Sequence, residues 1–274
     1  MRLKDKIAIV TGGGGGLGEA ISLCFAEEGA DLVVSDLKRD LAEKVSKKVE
    51  AMGRRSLSVA TDVRKSKDCK DLMEESLKRF GKIDILVCNA GVGGYAKRPD
   101  SDAPLTIENI REEEDWDYTI DVNLKGVFLC CQAAVPHFKK QKKGKIINIS
   151  SIAGRRGADW LPHYSASKAG VIVLTQAIAL QLAPYNINVN TVCPGFIWTP
   201  LFENEGSRVL SQGHPKFKGM SKKDIFHALV RTMIPLGRPQ TPESIAKAVL
   251  FFASSDADEI TGQALNVDGG TILS

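Results

Sequence analysis

The chain has 274 residues, 43% of them hydrophobic and 26% charged, with a formal net charge of +4 at pH 7. Leu, Ile and Val recur throughout, and so small a net charge excludes an intrinsically disordered chain. A chain of this length buries about three quarters of its unfolded surface and needs no disulfide or metal to fold. The 37 basic and 33 acidic residues are intermixed, without the basic stripe of a nucleic-acid binder. The densest basic stretch, Lys139-Lys140-Gln141-Lys142-Lys143, reads as a solvated helix end whose cations suit the C-terminal dipole. The longest apolar stretch, residues 171–180, is broken by Thr175 and Gln176 and falls short of the roughly 18 residues a membrane span needs. The first residues lack the apolar core of a signal peptide. A cytoplasmic protein with no nucleic-acid or membrane partner is expected.

Short apolar runs alternate with amphipathic stretches along the chain. Residues 7–10 form the first strand-like run, followed by glycines and by residues 17–28 with helical periodicity. Residues 31–35 form a second strand-like run, and residues 41–52 an amphipathic helix. Residues 57–60, 83–88, 145–149, 188–192 and 265–267 continue the strand series, with helical stretches between them. Continuous apolar strands separated by helices predict a parallel sheet covered on both faces. The expected fold is therefore a single-domain, doubly wound α/β Rossmann architecture with right-handed crossovers. Two segments break the alternation. Residues 92–117 are long and polar, and residues 196–239 mix aromatics, glycines and prolines. Connections beyond about 12–15 residues are usually functional, so residues 196–239 are expected to form a lid over the substrate.

The six cysteines form no C-x-x-C pair and mostly interrupt apolar runs, so they read as reduced core residues. Four histidines without H-E-x-x-H spacing give no support for a catalytic metal.

Thr11-Gly12-Gly13-Gly14-Gly15-Gly16-Leu17-Gly18 lies between the first strand and the first helix. Glycines there allow a tight turn and let backbone N–H groups approach a pyrophosphate at the helix N-terminus; a merely flexible turn is the plainer alternative. Asp36 ends the second strand 18 residues after Gly18, near the interval at which a carboxylate holds the adenosine ribose hydroxyls. The same carboxylate repels a 2′-phosphate and favours NAD over NADP, although Lys38 and Arg39 stand nearby. A helix N-cap is the alternative role for Asp36.

Ser151 precedes Tyr164-Ser165-Ala166-Ser167-Lys168. Tyr164 and Lys168, at i and i+4, share one helix face. A cation beside a phenol favours the phenolate, and such a phenol can exchange a proton with an alcohol or ketone while a hydroxyl such as Ser151 holds the substrate oxygen. The alternative is a packed tyrosine with a snorkelling lysine.

Taken in order, these motifs resemble the short-chain dehydrogenase/reductase family, in its single-domain branch of about 250 residues. The resemblance runs from Lys6 to Gly270. It adds Asp62-Val63, Asn89-Ala90-Gly91, Asn123 within Asp121-Val122-Asn123-Leu124, the 13-residue separation of Ser151 from Tyr164, and Pro194-Gly195-Phe196-Ile197-Trp198-Thr199. The resemblance implies hydride transfer between nicotinamide and a carbinol or carbonyl carbon. Tyr164 would be the general acid/base and Ser151 the donor to the substrate oxygen. Lys168 would act on Tyr164 and the nicotinamide ribose, and Asn123 would carry a proton relay. It also implies a cofactor site of Gly12, Gly15, Gly16, Leu17, Gly18, Asp36 and Leu37 with Asp62, Val63, Asn89, Ala90 and Gly91. Tyr164, Lys168, Pro194, Gly195, Ile197 and Thr199 complete that site. Family members commonly pair as homodimers or homotetramers, through helices equivalent here to residues 122–140 and 164–182.

The chain departs from the family pattern between Asn89 and Asn123, which is about ten residues longer than the family's usual spacing; Lys97, Arg98 and Pro99 fall in the excess. Arg155 and Arg156, with His163, could grip an anionic substrate group or simply face solvent. Trp160, Phe196 and Trp198 suit a cyclic or aromatic alcohol instead. The expected activity is NAD-dependent oxidation of a small polyol, sugar, hydroxy acid or cyclic alcohol. An NADPH-dependent ketoreductase acting on acyl thioesters is the alternative, and a dinucleotide-binding sensor without chemistry is a third reading.

Overall fold

Val, Ile and Leu run almost unbroken through each of the short segments expected as strands, and in the computed structural model every one of them is a strand. The structure describes residues 1–94, 106–158, 161–203 and 215–273. The strands are β1 (Ile7–Thr11), β2 (Asp31–Asp36), β3 (Ser56–Ala60), β4 (Ile85–Cys88), β5 (Gly144–Ile149), β6 (Ile187–Pro194) and β7 (Ala264–Val267). They form one parallel sheet in the order β3-β2-β1-β4-β5-β6-β7. The expected doubly wound Rossmann architecture is present. Each strand end agrees with the sequence reading to within a residue or two, the scatter normal for element boundaries.

Helices cover both faces. Side chains of β1, β2, β4 and β5 alternate between them, so Val10, Val34, Val87 and Ile149 join one core while Ile9, Val33, Leu86 and Ile146 join the other. The first core is closed by α1 (Gly16–Glu27), α2 (Arg39–Ala51) and α7 (Pro242–Ala253). The second is closed by α3 (Ser66–Phe80), α4 (Gly126–Gln141) and α5 (Pro162–Leu182). A fully buried Phe25, Ile21 or Leu72 contributes roughly 1.5–3 kcal/mol through burial. Local signals set the helix ends. Gly81 (φ +79°) stops α3 in the left-handed region, and Thr241 and Ser244 form a reciprocal capping box ahead of α7.

Two helices differ from expectation. The segment 112–125 is already helical, in π-type turns at Glu112–Asp117 and Asp121–Lys125 that lead into α4. The acidic stretch folds because Asp115, fully buried, takes the Arg111 guanidinium at 3.1 and 3.2 Å and the Arg111 N–H at 3.0 Å. The α5 helix begins at Pro162, whose missing N–H costs nothing at that position. With its extension to Tyr185 it is apolar and long enough to cross a membrane by composition. Val171, Thr175, Ala179 and Leu182 nevertheless pack inward, and Val173 and Leu180 stand exposed. All six cysteines are unpaired by disulfides and five are buried; the Cys69 and Cys130 sulfurs lie 3.7 Å apart between α3 and α4.

Candidate active site

The crossover direction reverses between β1 and β4, and open α/β sheets bind ligands where the C-terminal ends of such strands part. Thr11, the last residue of β1, fixes that opening. Its hydroxyl donates to the Val87 carbonyl at 3.3 Å and accepts from the Asn89 and Ala90 N–H groups at 3.1 and 3.2 Å. The Asn89 amide group donates to the carbonyls of Thr11 and Gly12, both at 3.0 Å. The glycine turn and the Asn89-Ala90-Gly91 strand end are therefore one hydrogen-bonded unit.

That unit excludes side chains at defined points. Gly12 has φ +61°, and a Cβ there would stand 2.7 Å from the Ala90 Cα. A Cβ on Gly18 would fall onto the Gly12 carbonyl oxygen. At Gly15, by contrast, a Cβ would meet nothing within 4 Å. Gly15 opens on a cavity of about 730 Å³ and sits at the start of α1. A backbone cradle at a helix N-terminus, open on one side only, fits a pyrophosphate. Asp36 fits the ribose beyond it. Its Oδ2 accepts from the Gly14 N–H and its Oδ1 from the Lys38 N–H, both at 3.1 Å, so the carboxylate is locked against the turn.

At the other end of the cavity lie Ser151, Tyr164 and Lys168. Ser151 caps a short 3-10 turn, Ile152–Gly154, by accepting from the Ala153 N–H at 3.1 Å, which leaves its O–H proton available to donate. Lys168 is buried, its Nζ 3.0 Å from the Ile149 carbonyl and 5.7 Å from the centre of the Tyr164 ring. Burial brings the Lys168 ammonium down to about 8. The backbone beneath is held from two sides: Ser150 Oγ donates to the Lys168 carbonyl at 2.7 Å, and Gly154 packs so closely on that carbonyl that a Cβ would stand 2.7 Å from it.

Asn123, fully buried in the π-type turn before α4, does not reach the cavity wall. It joins the site from behind. Its Nδ2 donates to the Val92 carbonyl at 3.0 Å and to Ser167 Oγ at 3.2 Å, and Ser167 Oγ donates to the Tyr164 carbonyl at 2.7 Å. A Cβ on Gly91 would stand 3.2 Å from Asn123 Oδ1 and 3.4 Å from Lys168 Nζ, so these two polar groups converge on one glycine. A π-type turn at such a point is a common functional device.

Of the residues expected to hold the cofactor, Gly12, Gly15, Gly16, Leu17, Gly18, Asp36, Asn89, Ala90, Gly91, Pro194, Gly195, Ile197 and Thr199 line the cavity. Leu37, Asp62 and Val63 do not. Leu37 is exposed, Val63 packs on Gly126, and Asp62 is bound by the Arg64 guanidinium at 2.7 and 2.8 Å, which holds its carboxyl below the usual range. Arg155 is turned away from the cavity, with its guanidinium donating to Asn266 Oδ1 at 3.1 Å and to the Ala264 carbonyl on β7. His163 is fully buried, with Nε2 at 2.6 Å from the Gly94 carbonyl, and is no part of the wall. Arg156 does line the cavity. Phe196 lines it too, whereas Trp198 packs on Phe226 with ring centres 5.2 Å apart. Lys97, Arg98, Pro99 and Trp160 lie outside the described residues. Sequence reasoning missed the apolar wall of Leu161, Leu201, Phe202, Leu229, Met233 and Ile272; the last four come from three different segments, and no local motif marks them.

A family model described as short chain dehydrogenase matches residues 6–209. The chain belongs to the short-chain dehydrogenase family. It is an NAD(P)-dependent oxidoreductase acting on CH–OH and keto groups. Within the family it is 38% identical over 273 residues to the 3-oxoacyl-[acyl-carrier-protein] reductase FabG of Thermotoga maritima, each chain being covered completely. It is 36% identical to the (2S)-[(R)-hydroxy(phenyl)methyl]succinyl-CoA dehydrogenase subunit BbsD of Thauera aromatica, covering 100% of this chain and 99% of that one. The crystal structure of an NAD⁺-bound xylitol dehydrogenase superposes with a TM-score of 0.90 at 28% identity, covering 98% of this chain and 100% of the other. Short-chain dehydrogenases of these three names act on different alcohols and ketones, so the family fixes the reaction class and leaves the substrate to the walls of the cavity.

Proposed function

We propose that this protein is an NAD-dependent secondary-alcohol dehydrogenase acting on a small polyol, sugar, hydroxy acid or cyclic alcohol. The observation that carries this reading is the convergence of Ser151, Tyr164 and Lys168 on the cavity that also holds the glycine turn and Asp36. Bound NAD⁺ would supply the hydride acceptor. In this reading the Ser151 hydroxyl donates to the substrate oxygen and fixes the carbinol carbon toward the cofactor. Tyr164 takes the hydroxyl proton as hydride leaves, or returns it in the reverse direction. Lys168 favours the phenolate and reaches the nicotinamide ribose. The convergence of Asn123 and Lys168 on Gly91 supports a relay that carries the proton from Tyr164 toward solvent.

The locked carboxylate of Asp36 supports NAD over NADP, since a 2′-phosphate would lie against it. Leu37, Asp62 and Val63 keep a place at the adenine end of this proposal, beyond the cavity wall. One sheet with both faces covered supports a single catalytic unit in which residues 196–239, of which 204–214 lie outside the described residues, form the substrate lid; Phe202, Leu229 and Met233 line one side of the cavity. Exposed Phe128 on α4 and Val173 and Leu180 on α5 support pairing of copies through these helices, as a homodimer or homotetramer. A cytoplasmic location accompanies this reading.

The second reading is an NADPH-dependent 3-oxoacyl-thioester reductase, favoured by 38% identity to a protein of that name. One experiment separates them. Secondary alcohols (polyols, hydroxy acids, cyclic alcohols and hydroxyacyl thioesters) are offered with NAD⁺ and with NADP⁺, and nicotinamide reduction is followed by absorbance. Turnover with NAD⁺ that falls at least 100-fold in Tyr164→Phe is the expected result. A preference for NADP⁺, or undiminished turnover by the variant, overturns it.

A further inference from the structure

Among the described residues, the substrate end of the cavity combines an apolar wall with one exposed cation, Arg156. Leu161, Phe202, Leu229, Met233 and Ile272 supply the wall. Among the described residues, the charged ones lining the cavity are Asp36, Lys168 and Arg156. Asp36 is tied to the glycine turn, and Lys168 is buried against Ile149. Arg156 is exposed and, among the described residues, makes no salt bridge and no side-chain hydrogen bond. Its backbone N–H donates to the Ile152 carbonyl at 3.0 Å, which places it one turn beyond Ser151 on the same short element. The neighbouring Arg155 is spent on β7, and His163 is sealed under Gly94.

We propose that Arg156 is a specificity-determining residue that binds a carboxylate on the substrate, so that the preferred substrate is an apolar, ring- or alkyl-bearing hydroxy acid rather than a polyol. This narrows the dehydrogenase reading above and rests on it. An exposed guanidinium without a partner among the described residues, lining an apolar pocket, presents a planar pair of N–H donors matched to a carboxylate. The wall offers few groups to pair with the several hydroxyls of a sugar, and burying them unpaired is costly. It offers dispersion contacts to a ring or chain instead.

The test uses a matched pair, 3-hydroxy-3-phenylpropanoate and its primary amide, which differ in charge and hardly in shape. Binding to the enzyme–NADH complex is measured by calorimetry, and oxidation by NAD⁺ is measured separately. The carboxylate is expected to bind and react at least tenfold better than the amide. Arg156→Ala should erase that preference by weakening the carboxylate alone, and Arg156→Lys should retain part of it. Equal loss on both compounds, no change on either, no binding of either, or xylitol reacting better than both overturns the proposal. A carboxylate preference in binding without turnover in wild-type enzyme upholds the anion site and overturns the dehydrogenase reading, so the two failures are distinguishable.

Discussion

Asn123 and Val92 hold each other through two hydrogen bonds, the Val92 N–H donating to Oδ1 at 2.8 Å and Nδ2 donating to the Val92 carbonyl at 3.0 Å. The side chain substitutes for a strand partner where the chain leaves β4, and it ties the π-type turn to the strand end that carries Gly91. A position that the family resemblance assigns to proton movement thus also carries part of the architecture.

Replacing Asn123 by Ala is therefore expected to do two things. Half-buried Val92 loses both partners, at up to about 1–3 kcal/mol for each group left unpaired, which thermal unfolding of the cofactor-free protein will register. Turnover should fall at least tenfold even at temperatures where the variant is fully folded. A variant that is destabilised yet turns over normally would reduce Asn123 to a strut.

Lys168 makes stability depend on pH in a direction that can be worked out. Its folded pKa, about 8, lies below its ordinary value of 10.5. Between these values the unfolded chain binds more protons, so stability from this group rises with pH across that window and is lowest below pH 8. Lys168→Met removes a cost of up to about 3 kcal/mol. The variant should be more stable than wild type at pH 6, with the gap closing toward pH 10 in urea titrations. A gap that stays constant with pH would mean that burial does not govern this amine.

Asp36→Ser removes the negative charge proposed to face the ribose while leaving an acceptor for the Gly14 N–H. The ratio of kcat/KM for NAD⁺ to that for NADP⁺ is expected to drop at least tenfold, with Lys38 and Arg39 free to approach a 2′-phosphate. An unchanged ratio would mean that Asp36 serves only to shape the turn.

Gly18→Ala puts a methyl group on the Gly12 carbonyl oxygen and within 2.7 Å of Asn89 Nδ2. Because that carbonyl belongs to the cradle, the turn must open. Cofactor affinity should fall at least 100-fold, read by quenching of protein fluorescence on titration with NADH. Gly15→Ala, with nothing within 4 Å of its Cβ, is the matched control for folding and should unfold at the wild-type temperature.

The fold was legible because its information is local. The strands are contiguous apolar runs, and the glycine turn, Ser151 and the Tyr164–Lys168 pair keep fixed spacings along the chain. What sequence could not separate was Arg155 from Arg156. They are adjacent and chemically identical, and only the position of Asn266 on β7, more than a hundred residues away, decides that the first is engaged and the second is not. The apolar wall was hidden for a related reason. Leu161 precedes α5, Leu229 and Met233 lie on α6 (Lys222–Met233), and Ile272 follows β7. Leu229 and Met233 fall within the stretch expected as a lid, but helical spacing alone does not say which apolar residues of α6 face the cavity. Asp62 is the converse case: its motif is legible in the sequence, but only the fold shows its carboxylate bound by the neighbouring Arg64, outside the cavity wall.

The buried thiols supply the protein with its own reporter of opening. Cys88 and Cys130 lie directly behind Thr11 and Ala90, around a small void that also touches Val63 and Gly126. A thiol reagent reaches them only when α4 lifts from the sheet, so the labelling rate measures the population of open molecules. Whatever seats itself on the glycine turn clamps the strand ends from the opposite side and should slow that labelling in proportion to its occupancy. Ligands can then be ranked on unmodified protein by the survival of free sulfhydryls, before any substrate has been found.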